Sequence, residues 1–262
     1  MSRVLGVIPA RYGSTRFPGK PLASVGDRTL IEEVWRRASC SVRIDRLVVA
    51  TDDARIASAL GRVGAEVVMT SPSHPSGTDR VAEVSARFGR DHDVVVNLQG
   101  DEPLVTGTSL DLVAGALTDD DTVEMATLAE PIRDIDELLD PNVVKVVADA
   151  QGFALYFSRS PIPYYRHPRA PATDLRAALA SRPDGLAGYL KHQGIYAYRR
   201  DVLLALTRDR PSPLERDEGL EQLRALQSGT RIRVLDSDFR SLAVDTPGDL
   251  ERLRESTQGA DR

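Results

Sequence analysis

Three fixed cations near the amino end of the chain lie in a segment rich in glycine and hydroxyl groups. The segment reads RYGSTRFPGK, and its cations are Arg11, Arg16 and Lys20. Glycine and proline punctuate it, so it is predicted to be a loop rather than a helix or a strand. Oriented backbone amides combined with Arg or Lys side chains are a common way to hold phosphates. The segment therefore predicts a loop that grips a triphosphate, with a solvated turn as the alternative on local sequence alone.

This loop differs from two well-known phosphate-binding motifs. Five residues separate Gly13 from Gly19, where a Walker A loop has four, and Pro21 follows Lys20 in place of a Ser or Thr. No glycine triplet opens a helix here, as the Rossmann dinucleotide fingerprint requires. The sequence thus excludes both motifs and leaves a phosphate loop of another type.

Two aspartates lie at positions suited to a divalent metal ion. Asp101 follows the strand-like run DVVVNL within QGDEP, where the glycine allows a tight turn that fixes a carboxylate. Its neighbour Glu102 is expected to cap or pair nearby. Asp245, in AVDTP, is expected to end another strand and to precede the last helix. For Asp245 a ligand role and a helix-capping role both remain open.

Two further polar stretches are either ligand contacts or helix caps. Ser76, Gly77 and Thr78 open a predicted helix, and their amides and hydroxyls suit the edge of a nucleobase as well as an N-cap. Asp52 and Asp53 follow a predicted strand at the edge where open α/β sheets bind ligands, and they are equally suited to cap the next helix.

Composition favours a folded protein that binds a small anionic ligand. The chain has 262 residues, 41% hydrophobic and 28% charged, with a net charge of −5. This predicts a packed core and argues against nucleic-acid binding through a broadly basic surface; no apolar run is long enough to span a membrane. Cys40 is the only cysteine, which excludes an intrachain disulfide and a cysteine-based zinc site. The absence of disulfides suits a cytoplasmic location. Cys40 is expected to close a helix as a small hydrophobic residue.

The elements that must position these side chains change in character along the chain. Up to residue 122, strands and helices alternate, which predicts a mostly parallel sheet with helices on both faces. After Val123, strands follow one another with little helix, and residues 149–152 form a predicted hairpin turn. Residues 158–190 are predicted to be a loop or lid. A helix is predicted from Ser212 to Leu226, and Ser212 and Glu215 form a predicted capping box at its start. Gly219 interrupts this helix.

Nine ordered motifs across nearly the whole chain resemble one family. They are IPARYGSTRFPGKPL, ATDD, HPSGTDR, NLQGDEPL, NVVKVV, ALYFSRSPIP, KHQGIYAYRRDVL, SPLERDEGLEQLRAL and VDTPGDLERLR. Together they resemble the 3-deoxy-manno-octulosonate cytidylyltransferases, or CMP-Kdo synthetases, and more distantly the other sugar-acid cytidylyltransferases. Such enzymes transfer CMP from CTP to the anomeric hydroxyl of a sugar acid, with magnesium, in lipopolysaccharide biosynthesis.

The resemblance implies an α/β fold, a Rossmann-like nucleotidyltransferase with a mixed, mostly parallel sheet and a small antiparallel dimerisation and acceptor extension. It implies one domain, 1–262, with a CTP-binding half (1–122) and an acceptor-binding and dimerisation half (123–262), in a cytoplasmic homodimer that binds neither nucleic acid nor membrane.

The resemblance also implies a role for each site residue. The expected catalytic residues are Arg16, Lys20 and Asp101, and the expected magnesium ligands are Asp101 and Asp245. The expected CTP contacts are Ala10, Arg11, Arg16, Lys20, Ser76, Gly77 and Thr78. The expected acceptor contacts are Arg80, Gln99, Arg159, His192, Tyr196 and Glu215, with Arg159 on the acceptor carboxylate.

Two alternatives accompany this interpretation. The first is the same transfer to a different ulosonic or related acid, because residues 165–188 carry no family motif and Gly219 stands where a larger residue is usual. The second is a CTP-binding regulator without catalysis, against which the intact Lys20, Asp101 and Asp245 argue.

Overall fold

A nine-stranded mixed sheet carries the fold in the computed structural model, which describes residues 2–13, 16–88, 91–166, 175–182, 184–237 and 239–260. Ser14 and Thr15 of the cationic loop lie outside the described residues. The strands are β1 (Val4–Ala10), β2 (Ser24–Val25), β3 (Arg28–Thr29), β4 (Arg46–Thr51), β5 (Glu66–Met69), β6 (Val94–Leu98), β7 (Met125–Pro131), β8 (Lys145–Ala148), β9 (Ala154–Ser158), β10 (Leu190–Arg199) and β11 (Ile232–Asp236).

The order of the main strands is β11-β7-β10-β6-β1-β4-β5. Neighbours run parallel except around β10, which is antiparallel to both β6 and β7. The β8–β9 hairpin extends from β10 in antiparallel register, and β2 and β3 form a separate two-stranded sheet. The predicted fold class, a mostly parallel mixed sheet with a small antiparallel extension, is therefore confirmed. The division of the chain at residue 122 stays a prediction.

Helices cover both faces of this sheet. They are α1 (Leu30–Ala38), α2 (Ala54–Arg62), α3 (Gly77–Phe88), α4 (Gly107–Thr118), α5 (Ile135–Leu139), α6 (Leu175–Ala180), α7 (Arg200–Leu206), α8 (Pro213–Glu218), α9 (Gln222–Gln227) and α10 (Pro247–Ala260). A 3-10 turn at Lys20–Leu22 follows the cationic loop.

The central strand β1 shows why the sheet is buried on both sides. Successive side chains of a strand point to opposite faces. Val4 and Ile8 pack in the cluster with α1 and α4, whereas Leu5 and Val7 pack in the cluster with α3. A nearly continuous apolar run is what a parallel strand covered on both faces requires.

The predicted hairpin at residues 149–152 is confirmed. The Gly152 amide donates to the Asp149 carbonyl at 2.9 Å, and Gly152 has a φ of 79°, a conformation that favours glycine. This turn joins β8 to β9.

The single helix predicted from Ser212 to Leu226 is wrong. Ser212 and Glu215 form the predicted capping box, but α8 ends at Glu218 and Gly219 takes a φ of 63°. A left-handed residue ends a helix, so the chain turns before α9 begins.

Three other local predictions need correction. Residues 158–190 contain α6 and the start of β10, so they are not all loop. No strand ends at Asp245, since 239–245 is irregular backbone. Cys40 is exposed rather than packed as a small hydrophobe.

Candidate active site

A first cavity of about 290 Å³ opens at the carboxyl ends of β1 and β6. Parallel sheets place ligands at this edge, because the loops there converge from neighbouring strands. Its described lining residues are Pro9, Ala10, Arg11, Arg16, Lys20, Pro21, His74, Ser76, Gly77, Arg80, Gln99, Gly100, Asp101 and Asp245.

Lys20 stands between the two aspartates that the sequence suggested as metal ligands. Its Nζ donates to Asp101 Oδ2 at 2.6 Å and to Asp245 Oδ1 at 3.2 Å. The two carboxylates, 144 positions apart in the sequence, therefore face one point. Burial opposes the charge on Lys20, but the adjacent Asp101 and Asp245 carboxylates outweigh it and raise the pKa of the ammonium.

The cationic loop is closed on itself by backbone contacts. The Gly19 amide donates to the Tyr12 carbonyl at 3.0 Å, and Gly19 has a φ of 74° directly before the 3-10 turn that holds Lys20. The Arg55 guanidinium lies 3.3 Å from the centre of the Tyr12 ring, which ties the loop to the start of α2. Arg16 extends from the loop to Asp245, with its guanidinium 3.3 Å from Oδ2.

Asp245 is free of the capping role that its sequence left open. The carboxylate of Asp249 instead accepts from the amides of Asp245 and Thr246, at 3.0 and 2.7 Å. The Val244 amide donates to the Asp101 carbonyl at 3.0 Å. The Asp245 side chain is thereby directed to Lys20 and Arg16.

The donor set around this point fits a magnesium ion. Magnesium is usually bound by one or two carboxylates together with substrate phosphates and water. Asp101 and Asp245 supply two carboxylates, both within hydrogen-bond distance of one nitrogen. In the described part of the chain, no cluster of three or more His, Cys, Asp or Glu side chains could hold a metal alone. The remaining ligands would thus come from a bound phosphate and water.

A second cavity of about 540 Å³ adjoins the first, because Arg16, Gly77, Gln99 and Asp245 line both. Its other described lining residues are Thr78, Glu102, Asp140, Asn142, Val143, Val144, Lys191, His192, Gly194, Tyr196, Gly219, Leu220, Glu221, Gln222, Ser241, Leu242, Ala243, Thr246, Asp249 and Arg252. A ligand in one cavity would lie beside a ligand in the other, with Asp245 between them.

His192 and Tyr196 face the second cavity from β10. Their ring centres are 5.3 Å apart, and His192 Nε2 lies 2.9 Å from the Thr127 hydroxyl. Burial lowers the pKa of His192 to about 3, so its imidazole is neutral at ordinary pH. Burial raises the pKa of Tyr196 well above its usual value, so its hydroxyl stays protonated.

Arg80 lines the cavity that holds most of the expected CTP contacts, whereas Thr78 lines the cavity of His192 and Tyr196, and their substrate roles stay predictions. Arg80, expected on the acceptor, lines the first cavity, where it contacts Thr70 and lies 3.2 Å from the Asp52 carboxylate. Thr78, expected on CTP, lines the second cavity. They are two residues apart on the first turn of α3, so their side chains point to different sides of the helix.

Arg159 and Glu215, both expected on the acceptor, line neither cavity in the structure. The Arg159 guanidinium donates to the carbonyls of Glu218 and Pro141 at 2.7 and 2.9 Å. Glu215 forms the capping box with Ser212. Its carboxylate also accepts two hydrogen bonds from the Arg224 guanidinium in a bidentate salt bridge, at 2.8 and 2.5 Å. Nearby carbonyls bind Arg159 and Arg224 of α9 binds Glu215, and their roles at the acceptor stay predictions.

Five charged residues that line the second cavity had no role assigned from the sequence: Asp140, Lys191, Glu221, Asp249 and Arg252. Glu102 was expected only to cap or pair, yet it is buried in the cavity wall. Burial and the neighbouring Asp101 raise its pKa to about 8. Glu102 follows Asp101 and Lys191 precedes His192 in the sequence. Their position beside expected site residues could have indicated that they line the cavity. Glu221 follows the left-handed Gly219, whose turn could not be placed from local sequence.

The capping alternatives hold for two other residues. The Asp53 carboxylate accepts from the Arg55 amide at 2.8 Å and begins α2. The Ser76 hydroxyl accepts from the Asp79 amide at 3.2 Å while Ser76 also lines the first cavity. A cap and a cavity wall are therefore compatible at Ser76.

Comparisons with known proteins give relatives that match nearly the whole chain. A family model described as cytidylyltransferase matches residues 5–232. The chain is 49% identical over 256 residues to the 3-deoxy-manno-octulosonate cytidylyltransferase of Syntrophotalea carbinolica, covering 98% of this chain and 99% of the relative. It is 51% identical over 258 residues to the protein of that name from Chromohalobacter salexigens, covering 97% and 96%.

Solved structures give the same result for the fold. A CMP:2-keto-3-deoxy-manno-octonic acid synthetase complexed with CTP superposes with a TM-score of 0.87 at 39% identity, covering 99% of this chain and 100% of that one. The 4-diphosphocytidyl-2C-methyl-D-erythritol synthase of Anaerococcus prevotii superposes with a TM-score of 0.64 at 12% identity, covering 98% and 96%. This second likeness concerns the fold alone.

Proposed function

Because the chain belongs to the family of 3-deoxy-manno-octulosonate cytidylyltransferases, we propose that it transfers CMP from CTP to the anomeric hydroxyl of 3-deoxy-manno-octulosonate (Kdo). The observation that carries this proposal is the meeting of Lys20, Asp101 and Asp245 where the two cavities join. Cations for a triphosphate, carboxylates for a metal and a separate acceptor cavity are the parts that such a transfer needs.

The first cavity suits CTP. Arg11, Arg16 and Lys20 bring three cations to one side of it, where they would hold the phosphates. Ala10, Ser76 and Gly77 line the part that would take the nucleoside. Arg80 is buried and held by Asp52, so its guanidinium is fixed for a polar group of the nucleotide rather than for the acceptor.

The second cavity suits a polyhydroxylated acid. Gln99, His192 and Tyr196 present neutral polar groups to it, which can donate to and accept from sugar hydroxyls. Arg16 and Lys191 are cations in its wall, and they would attract the acceptor carboxylate in place of Arg159.

The reaction is a displacement at the α-phosphorus of CTP. The anomeric oxygen forms a bond to this phosphorus and its proton passes to solvent water. The bond between the α-phosphorus and the bridging oxygen of the β-phosphate breaks, and pyrophosphate leaves with the electron pair. Lys20 and Arg16 hold the phosphates in line and stabilise the charge that develops on their oxygens. Asp101 and Asp245 would hold magnesium, which when bound supplies further positive charge to the phosphoryl group.

The proposal also covers the cellular compartment, the oligomeric state and the pathway. Within the described ranges, no helix is both long and apolar enough to cross a bilayer. A single cysteine supports a reducing compartment such as the cytoplasm. The family resemblance supports a homodimer formed through the antiparallel extension, and a place in lipopolysaccharide biosynthesis.

Pyrophosphate release from CTP and Mg²⁺, measured over a panel of sugar acids, tests the proposal. We expect release with Kdo and little release with the other acids or with no acid. Preference for another ulosonic acid would overturn the acceptor. Tight CTP binding without release for any acid would overturn the enzymatic function altogether.

A further inference from the structure

Ser241 connects the two segments that carry the aspartates. It is buried in the irregular stretch 239–245, four residues before Asp245, and it lines the second cavity. Its hydroxyl donates to both carboxylate oxygens of Glu102, at 2.9 and 2.8 Å. Glu102 directly follows Asp101. The hydroxyl therefore joins the Asp101 turn to the Asp245 segment.

The backbone of Ser241 is held by charged groups as well. Its amide donates to Glu130 Oε1 at 2.9 Å, and its carbonyl accepts from Lys191 Nζ at 3.1 Å. Glu130 and Lys191 belong to β7 and β10, so the serine is tied to two strands of the sheet. Every polar group of Ser241 is thus bonded to an ionisable side chain.

The stretch 239–245 has no strand partner to fix Asp245, so its position depends on individual contacts. The Ser241 hydroxyl and the Val244 amide provide two contacts to the Asp101 turn. Gln193 Nε2 also holds the Phe239 carbonyl, at 3.1 Å, further along the stretch. Of the two contacts to the Asp101 turn, the bond from Ser241 to Glu102 is the one that a single side-chain change removes without touching either aspartate.

We propose that Ser241 is a positioning residue: through Glu102 it holds Asp245 and Asp101 at the separation that one divalent ion requires. This proposal rests on the proposed function, since it assigns the metal to these aspartates. The Ser241 hydroxyl is bonded to Glu102 in the cavity wall, and it acts on the aspartates through that carboxyl group. Its loss lets the Asp245 segment move relative to the Asp101 turn and weakens the shared metal site.

Metal affinity in Ser241→Ala tests this directly. Free Mn²⁺, followed by its EPR signal in the presence of CTP, gives the affinity without turnover, and the half-saturating Mg²⁺ concentration for pyrophosphate release gives a second reading. We expect Mn²⁺ binding to weaken about tenfold, the scale of one lost buried hydrogen bond, and the half-saturating Mg²⁺ concentration to rise in parallel. Ser241→Thr keeps the hydroxyl and restores both.

Two further variants separate positioning from a general loss of stability. Ser237→Ala deletes a hydroxyl that donates to the Phe239 carbonyl at 3.0 Å, close to the same stretch, and it is expected to leave Mn²⁺ affinity unchanged. Glu102→Ala weakens Mn²⁺ binding, and adding Ser241→Ala to it brings no further loss, because the two changes break one bond.

Wild-type Mn²⁺ affinity in Ser241→Ala, an equal loss in Ser237→Ala, or additive losses in the double variant would each overturn the proposal. Failure of the wild-type protein to release pyrophosphate would instead overturn the proposed function, while the Mn²⁺ measurement would still report on Ser241.

Discussion

The two cavities are built in different ways, although they share a wall. The first takes its lining from short continuous motifs that follow β1, follow β6 and open α3. The second takes its lining from β10, from the turn between α8 and α9, and from the irregular stretch 239–245. The ends of strands position the side chains of the first cavity. Individual buried contacts between segments distant in the sequence position those of the second cavity. Local sequence therefore specifies the nucleotide side far better than the acceptor side.

The largest expected effect comes from the point where both cavities meet. We predict that Asp101→Asn or Asp245→Asn lowers turnover by at least about 10²-fold, the scale for losing one key electrostatic group. Pyrophosphate release at saturating CTP and Kdo measures it. The control is Asp119→Asn, which changes an exposed aspartate paired with Arg43 and should leave turnover normal. Near-normal turnover in both variants would remove the metal assignment.

Glu215 tests whether the capping contacts exclude a residue from the acceptor cavity. We predict that Glu215→Gln lowers the free energy of unfolding by about 2 kcal/mol, because Arg224 loses its charged partner but keeps one hydrogen bond. Urea unfolding measures this. Both KM values should stay unchanged, so a raised KM for Kdo at unchanged stability would return Glu215 to the acceptor site.

Glu221 is the matching test on the cavity wall. We predict that Glu221→Gln raises KM for Kdo about tenfold, the scale of one weakened hydrogen bond to a charged group, with KM for CTP unchanged. Steady-state kinetics with each substrate varied in turn separates the two. An equal rise in both KM values would mean that the cavities do not divide the substrates as proposed.

His192 gives the smallest effect, in the pH dependence of stability. The folded imidazole has a pKa near 3, whereas an unfolded one titrates near 6.5. Only the unfolded chain gains a proton between these values, so this contribution to stability is complete above pH 6.5 and is lost towards pH 3. Between pH 6.5 and 5.5 the loss is about 1 kcal/mol. Urea unfolding of His192→Gln should show a shallower decline over this interval; identical slopes would contradict the buried, neutral state.

Much of the fold follows from patterns that act over a few residues. The apolar run of β1, the hairpin at Asp149 and Gly152 and the capping box at Ser212 are local, and all three are present in the structure. The failure at Gly219 is instructive, because the same residue can weaken a helix or end it. Only the packing of α9 decides between these outcomes.

The site residues divide along the same line. Asp101 and the loop that carries Lys20 come after the parallel strands β6 and β1, so their meeting at one sheet edge could be anticipated. Arg159 and Glu215 carry charges of the right type, but nearby carbonyls and Arg224 occupy them. Such competition depends on segments that are distant in the sequence, and no local motif encodes it.

The dependence of pyrophosphate release on acceptor and metal tests the central claim most directly. Release from CTP is measured with and without Kdo, in Mg²⁺ and after removal of the metal with EDTA. The account predicts rapid release only when Kdo and Mg²⁺ are both present, and recovery when Mg²⁺ is added back. Release from CTP alone, or undiminished release in EDTA, would contradict an active site in which two aspartates join the nucleotide to its acceptor through a metal ion.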